Sequence, residues 1–458
     1  MILLGGSPWR VSRLTERTRA FVAALRARGS SGLAVENSQD SSVARVLLDR
    51  GFVNPLPPEH AAGRLTVVNV IPVLDRLEGL RALLGSHRAG TTLVVDDGSA
   101  DPDAVAAVAR EFGVDLVRHE VNRGPAAARN TGVRTTSTDV IAFIDSDCVV
   151  DGSWPDGLLW HFADPGVGAV APRIAPVCGA GGVVARFEQA RSALDMGRHP
   201  ELVKPGSRLG FVPSAALLVR RAALRDGGFD EALRLGEDVD LVWRLVDAGW
   251  QVRYDPATVV HHQGRESFVP WLRRTFEYGT SAANLELRHP GRLSPARLSG
   301  WNLTALALVG RGHPAASVVV LALAAGQLAR HLEGLPHPER LAAEAVARGV
   351  LADATQVGRL LRREWWPLGA VTLVAARRSR VARLGATAML VPIAMDFWRE
   401  RPSLDPLRYL SLQLLDDAAY GSGVIASSIR SRSVKPLVPV VRLPIPGWVR
   451  RRRARSGP

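Results

Sequence analysis

The stretch Val140-Ile141-Ala142-Phe143-Ile144-Asp145-Ser146-Asp147-Cys148 decides how the rest of the chain is read. A buried-strand run ends in two carboxylates spaced i, i+2. Side chains alternate along an extended chain, so Asp145 and Asp147 leave the strand tip on one face. Paired carboxylates facing a cleft repel each other unless a cation sits between them. Hard divalent ions such as Mg²⁺ or Mn²⁺ take oxygen ligands and share them with phosphate. The corner reads as a holder for a metal–diphosphate. Taken alone, two solvated turn residues have the same spacing, and the neighbouring motifs must decide.

Those neighbours lie in a segment, residues 63–290, that alternates strands and helices. The sequence predicts strands over residues 66–71, 92–95, 115–118 and 140–144. It predicts helices near 76–85, 103–112, 125–135 and 156–162. Short apolar strands between helical periods argue for a mainly parallel α/β sheet covered on both faces, with ligands beyond the carboxyl ends of its strands. Three polar motifs stand at such ends: Asp96-Asp97-Gly98-Ser99, Asn122-Arg123-Gly124-Pro125 and Asp145-Ser146-Asp147. A carboxylate at Asp97 can accept the imide N–H of a uracil, or belong to an ordinary Asp-Gly turn. Arg123, Gly124 and Arg129 surround the start of a helix at Pro125, where anions are favoured and arginine forks grip phosphate. Further on, Glu237-Asp238-Val239-Asp240 opens a helix after Gly236, with Leu241, Leu245 and Ala248 expected on its core face. Its acids are either partners of the helix dipole or a catalytic base that takes a proton from a hydroxyl. His261-His262 follows strand-like residues, and a neutral imidazole can complete a metal site with Asp147.

In this order the motifs resemble glycosyltransferase family 2. Val-Asp-Asp-Gly-Ser, Asn-Arg-Gly-Pro-Ala-Ala-Ala-Arg-Asn, Ile-Asp-Ser-Asp and Gly-Glu-Asp-Val-Asp-Leu-Val-Trp-Arg span residues 65–265. The resemblance implies the GT-A fold of nucleotide-diphospho-sugar transferases. It implies that Asp97 contacts a uridine base, with Val70 and Pro72 nearby, that Arg129 lies near the diphosphate and that Asp145 faces the ribose. It implies that Asp147 coordinates Mn²⁺ or Mg²⁺, with His261 or His262 as a further ligand. Asp238 would be the general base, with Glu237 the alternative, and a UDP-α-sugar would give a β-linked product. Processive members carry Gln-x-x-Arg-Trp after the base. Here Gln327-Leu328-Ala329-Arg330 is followed by His331 inside an apolar segment, so extrusion through a membrane channel is not expected.

The flanks differ in character. Residues 1–62 read as a small winged-helix-like module: a strand at Leu3-Leu4, a turn at Gly5-Gly6, a helix through Leu14, Thr18, Phe21, Val22 and Leu25, and a second helix capped by Ser41-Ser42 and ended by Gly51. Pro55, Pro57 and Pro58 read as a linker. Residues 291–458 are helical and rich in Ala and Arg. Their apolar stretches at 302–310, 315–329, 368–376 and 384–398 fall short of the roughly 18–20 apolar residues of a spanning helix. Packed helices of a soluble bundle are the expectation, with interfacial helices or a span over 314–328 as alternatives. Both flanks are similar to those of transferases that act on a redox cofactor made from a ribosomal peptide. That resemblance implies a small peptide-derived acceptor, glucose as the sugar, repeated addition, and a precursor peptide at the N-terminal module.

Composition bounds the partners. The chain has 458 residues and a formal net charge of +14, and nearly all its bases are arginine; Lys204 and Lys435 are the lysines. No concentrated basic recognition helix is present, so nucleic acid is not an expected partner. After Asp417 only bases follow, among them Arg430, Arg432, Lys435, Arg442 and Arg450 to Arg453. That tail suits contact with an anionic membrane surface, or a solvated end. Two cysteines, Cys148 and Cys178, make no disulfide framework. With no basic leader or long apolar core at residues 1–6, a cytoplasmic location is expected, including the inner face of the cell membrane.

Overall fold

The computed structural model describes every residue except Met1, Trp9, Glu36, 59–64, Arg88, Ala89, Ala180, Asp226 and 444–458. The chain forms two compact units, Met1–Glu266 and Ser267–Pro458. The first begins with strands β1 (Ile2–Gly5) and β2 (Arg10–Arg13), paired antiparallel, and helices α1 (Glu16–Arg28) and α2 (Ser38–Asp49). Phe21, Val22 and Leu47 form its core, with Leu3, Leu14, Leu33 and Phe52 packed around them. Two local expectations need correction. A second strand follows the Gly5-Gly6 turn, because the hairpin supplies the pairing that Leu3-Leu4 alone would lack. The second helix starts at Ser38 rather than after Ser41-Ser42, because Asn37 Oδ1 accepts the Asp40 N–H at 2.7 Å and so caps it earlier.

The larger part of this unit is built from β3 (Val67–Val73), α3 (Leu77–Ser86), β4 (Thr91–Asp96), α4 (Pro102–Glu111), β5 (Asp115–Arg118), α5 (Pro125–Thr135), β6 (Val140–Ile144) and β7 (Cys148–Val150). It continues through α6 (Asp156–Leu159), β8 (Val167–Val177), α7 (Val183–Arg191), β9 (Glu201–Val203), β10 (Ala216–Arg220), α8 (Glu237–Asp247) and β11 (Gln251–Gln263). The strands lie in the order β5-β4-β3-β6-β10-β8-β11-β7, with β9 also on β11. The first four are parallel, as the alternating pattern predicts. The sheet then turns mixed: β10 runs antiparallel to both β6 and β8. β11 is parallel to β8, and so to β6. The carboxyl ends of β3, β4, β6 and β11 and the amino end of β10 therefore share one rim. This is the architecture of the GT-A fold.

Two glycines let helices approach that rim. A side chain on Gly79 of α3 would meet the Ser146 carbonyl oxygen at 2.5 Å, and one on Gly132 of α5 would collide with Val70. The core beneath holds Ile71, Leu80, Val94, Ile144 and Val260, all fully or nearly fully buried.

The second unit comprises α9 (Phe268–Thr280), α10 (Ala282–Arg288), β12 (Arg297–Ser299), α11 (Gly300–Gly310), α12 (Pro314–His331), α13 (Pro338–Arg362), α14 (Trp366–Ala375), α15 (Arg380–Glu400), α16 (Pro406–Arg430) and β13 (Val440–Arg442). The four apolar stretches fall in α11, α12, α14 and α15. Gly279 of α9 and Gly423 of α16 stand against each other's backbones, and Gly358 of α13 against the Ala388 carbonyl of α15. Gln327 and Arg330 belong to α12, an ordinary helix of this bundle. Among the described residues Arg380–Glu400 is the one helix long and apolar enough to cross a membrane, with a mean hydropathy of 1.3. The segment 314–328 is not. The basic tail from Arg450 onward lies outside the described residues.

Because Gly132 admits Val70, Gly132→Val should overpack the α5–β3 contact. The expected loss is about 1–3 kcal/mol, read as a lower urea midpoint. Gly181→Ala, where nothing lies within 4 Å, should leave the midpoint unchanged.

Candidate active site

Asp145 continues from β6, its N–H donating to the Ala215 carbonyl at 2.9 Å. That bond ties the acid to the amino end of β10. One residue earlier, the Ser214 N–H donates to Asp238 Oδ2 at 3.4 Å. The start of α8 therefore docks beside the tip of β6. Gly236, at φ 82°, makes the left-handed turn that releases Glu237 and Asp238 into the first helical turn. Asp238 Oδ1 also accepts the Val239 N–H at 2.8 Å. Leu241 and Leu245 are buried as the helical period requires. Ala248 is exposed instead, because it caps the helix rather than continuing it.

Arg129 joins the two acidic motifs. Its side chain is 3% exposed; Nη2 reaches Asp145 Oδ1 at 2.6 Å and Nη1 reaches Glu237 Oε1 at 3.0 Å. Phe229 lies 5.3 Å beneath the guanidinium. Burial alone would lower the arginine's pKa, but the carboxylates of Asp145, Glu237 and Asp238 raise it, so the positive charge is fixed. Burial pushes Glu237 up to about 7, with the charge of Asp238 adding and Arg129 opposing. Burial also raises Asp238. Such a pair of acids holds a proton near neutrality more readily than free carboxylates do.

Two residues after Asp145, Asp147 meets the end of β11. The Gln263 N–H donates to the Asp147 carbonyl at 2.9 Å. His262 Nε2 lies 3.3 Å from Asp147 Oδ1, and Arg76, just before α3, lies 3.2 Å from Oδ2. Burial would raise the Asp147 pKa, but His262 close beside it, with the charges of Arg76 and Arg265, holds it down at about 2. Oδ1 is buried and has no hydrogen-bond partner of acceptable geometry. An ionised, orphaned oxygen facing an imidazole suits a divalent cation. Among the described residues no three His, Cys, Asp or Glu side chains gather for a metal, so a ligand must supply further oxygens. Successive side chains of a strand point to opposite faces, so His261 does not share this site with His262. Its Nδ1 is buried without a partner elsewhere.

The remaining predicted residues frame the rim. Asp97 is buried, and both its oxygens are engaged: Oδ1 with His119 Nδ1 at 2.8 Å and the Arg123 N–H at 3.0 Å, Oδ2 with the Gly124 N–H at 2.8 Å. It thereby clamps the loop that starts α5. Val70 is fully buried against Gly132 and shapes the wall from behind, while Pro72 is half-buried at the strand end. Arg76, Arg265, His119 and Ser214 escaped the sequence reading. Only Arg76 carried a signal, as a base directly after the first strand in a sheet that binds ligands at strand ends. Replacing Arg129 by Ala would leave two carboxylates facing each other without their cation. We expect a loss of about 3 kcal/mol in urea unfolding. The deficit should shrink as pH drops below about 7, where Glu237 takes up a proton and the repulsion is relieved.

Comparisons with known proteins show what the chain is similar to. A family model described as glycosyl transferase family 2 matches residues 70–228. The chain is 39% identical over 453 residues to the pre-mycofactocin glycosyltransferase of Mycobacterium tuberculosis (strain H37Rv), covering 96% of this chain and 94% of that protein. It is 33% identical over 198 residues to the succinoglycan biosynthesis protein ExoU of Rhizobium meliloti, covering 41% of this chain and 56% of that one. Among solved structures, the mannosyltransferase PcManGT of Pyrobaculum calidifontis, in complex with GDP-Man and Mn²⁺, aligns with a TM-score of 0.47 at 18% identity, over 91% of this chain and 98% of the other. Ordered motifs, the rim that unites them and a match along almost the whole length lead to one conclusion: the chain belongs to glycosyl transferase family 2.

Proposed function

We propose that this glycosyltransferase moves glucose from UDP-glucose, with inversion, onto a small redox cofactor precursor derived from a ribosomal peptide, an acceptor of the pre-mycofactocin type, and that repeated transfer gives a β-linked oligoglucoside. The observation that carries the reading is the double ion pair of Arg129, which sets Glu237 and Asp238 beside the Asp145–Asp147 corner. The relative that matches nearly end to end supplies the acceptor class.

In this reading Asp238 is the base. Glu237 is engaged by Arg129, whereas Asp238 keeps only one short bond, to Val239, and is partly exposed. Its carboxylate takes the proton of the acceptor hydroxyl as that oxygen bonds to the anomeric carbon, and the bond to UDP breaks on the opposite side. The raised pKa makes it a stronger base than a free carboxylate once it is ionised. Asp145, with Oδ1 held by Arg129, has its other oxygen available for a ribose hydroxyl. Asp97 acts through the Arg123-Gly124 loop it clamps, next to the site proposed for the base. Asp147 and His262 would hold Mn²⁺ or Mg²⁺, which when bound neutralises charge on the departing diphosphate. Alignment of acceptor and leaving group then falls to the protein's own groups.

The N-terminal module is assigned to docking a precursor peptide. It is fastened to the sheet by Arg45, which bonds both oxygens of Asp164 at 2.8 Å, and by Ser7 Oγ donating to the Leu202 carbonyl at 2.9 Å. A cleft of about 390 Å³ opens there between Val53, Pro55 and Leu56 and the wall of Trp160 and Tyr254. Tyr254 and His262 are eight residues apart on β11, roughly 25 Å of strand. A peptide in that cleft would be tethered well away from the acids. Both cysteines are free thiols, which suits a cytoplasmic location.

Incubation with a panel of UDP-sugars, Mn²⁺ and the acceptor, followed by mass measurement, tests the donor: UDP-glucose should give the glycosylated product, and preference for another sugar would overturn that choice. Asp147→Ala should abolish transfer while the protein still unfolds in a single cooperative urea transition. Undiminished turnover of this variant in chelator would remove the metal role. Asp238→Asn should bind UDP-glucose normally in calorimetry yet lose at least about a hundredfold in kcat; a normal kcat would put the base elsewhere. Because ionised Glu237 is needed to hold Arg129 beside the proposed base, kcat/KM should fall as pH drops through about 7. A flat profile across that range would contradict the assignment.

A further inference from the structure

We infer that the helical unit carries a membrane-surface face, in which the outer sides of α14 and α15 seat at the acyl–headgroup boundary of an anionic leaflet. Both helices turn one side to α13. Gly369 of α14 lies against the Leu361 carbonyl and Gly358 of α13 against that of Ala388. Ala382, Ala386, Met389 and Ile393 of α15 are buried on its inner side. The opposite sides are apolar and open. Leu368, Val371 and Val374 are 51%, 63% and 80% exposed along α14, and Leu384, Val391 and Met395 are 39%, 47% and 58% exposed along α15. Their spacing of three, four and seven residues makes a continuous stripe on each helix. Trp398, 72% exposed beside Arg399, ends the α15 stripe with a side chain suited to an interface.

A second, independent feature says what covers this face. The turn between α11 and α12 and the turn between α14 and α15 meet at one end of the unit: Gly310 packs on Val381 and Leu384, and Gly312 faces the Arg380 guanidinium. Arg311, Arg377, Arg378, Arg380 and Arg383 crowd there, all exposed, with no ion pair among the described residues. No Asp or Glu occurs in residues 300–332 or 365–395. Apolar stripes beside uncompensated arginines match a leaflet of anionic lipid, where aliphatic groups sink and guanidinium groups meet phosphate. A second copy of the chain offers no acid on this face to meet those charges. A span is disfavoured because α15 buries its inner side in the bundle and carries arginines at both ends.

Flotation of the full-length protein with vesicles tests this. It should rise with phosphatidylcholine/phosphatidylglycerol vesicles at low salt, stay behind with phosphatidylcholine alone, and detach partly at high salt. The triple variant Arg377→Glu, Arg378→Glu, Arg380→Glu and the double variant Val374→Glu, Met395→Glu should each weaken anionic-vesicle binding by at least about tenfold. Both should keep wild-type helical content and transfer to a soluble acceptor. Absence of wild-type flotation, or equal flotation of either variant, would overturn the inference. So would a dimer in sedimentation that the double variant dissolves without any change in flotation.

Discussion

The site depends on one buried cation. Arg129 is held in the first turns of α5, and α5 can lie close to the sheet because Gly132 leaves room for Val70. From there its two terminal nitrogens reach carboxylates 92 positions apart in sequence, Asp145 and Glu237. A guanidinium is suited to this, since its planar fork stays charged in a buried setting where a lysine would tend to lose its proton. Without it, the tip of β6 and the start of α8 would present mutually repelling acids, and the rim would open.

Topology makes the convergence possible. A purely parallel sheet would bring only its own crossover loops to the rim. The antiparallel entry of β10 adds a corner at Ser214 and Ala215, and this corner receives both Asp238 and Asp145. The return of β11 parallel to β8 then delivers His262 to Asp147 from the far side. Each acid faces a different electrostatic setting. Asp147 is pulled down by His262 and two arginines and stays ionised, while Glu237 and Asp238 are pushed up by burial. A charged carboxylate fits a cation, and one with a raised pKa fits proton transfer, so the environments match the two proposed roles.

Much of this was readable beforehand, for a physical reason. Strands β4, β5 and β6 and helix α5 announce themselves through short apolar runs, a Pro at the first helical position and polar residues at strand ends, all local signals. The mixed half of the sheet was not readable, because strand direction follows from how the chain crosses, and the loop before β10 carries no mark of it. The stripe pattern exposed α11, α12, α14 and α15 but not α13 and α16, 25 residues each, whose charged faces dilute their apolar ones. At the site, Asp145, Asp147 and the Glu237-Asp238 pair stood out by spacing. That Arg129 turns toward acids, that His262 rather than His261 meets Asp147, and that Asp97 holds backbone N–H groups are facts of three-dimensional partnership. No residue pattern states them.

Anomalous scattering from crystals soaked with UDP and Mn²⁺ tests the convergence most directly. The account predicts a manganese peak bonded to Asp147 and His262, with the diphosphate beside it and Asp238 facing the same hollow. Manganese and diphosphate bound elsewhere, for instance in the cleft between Pro55 and Trp160, with the acid rim left bare, would contradict it.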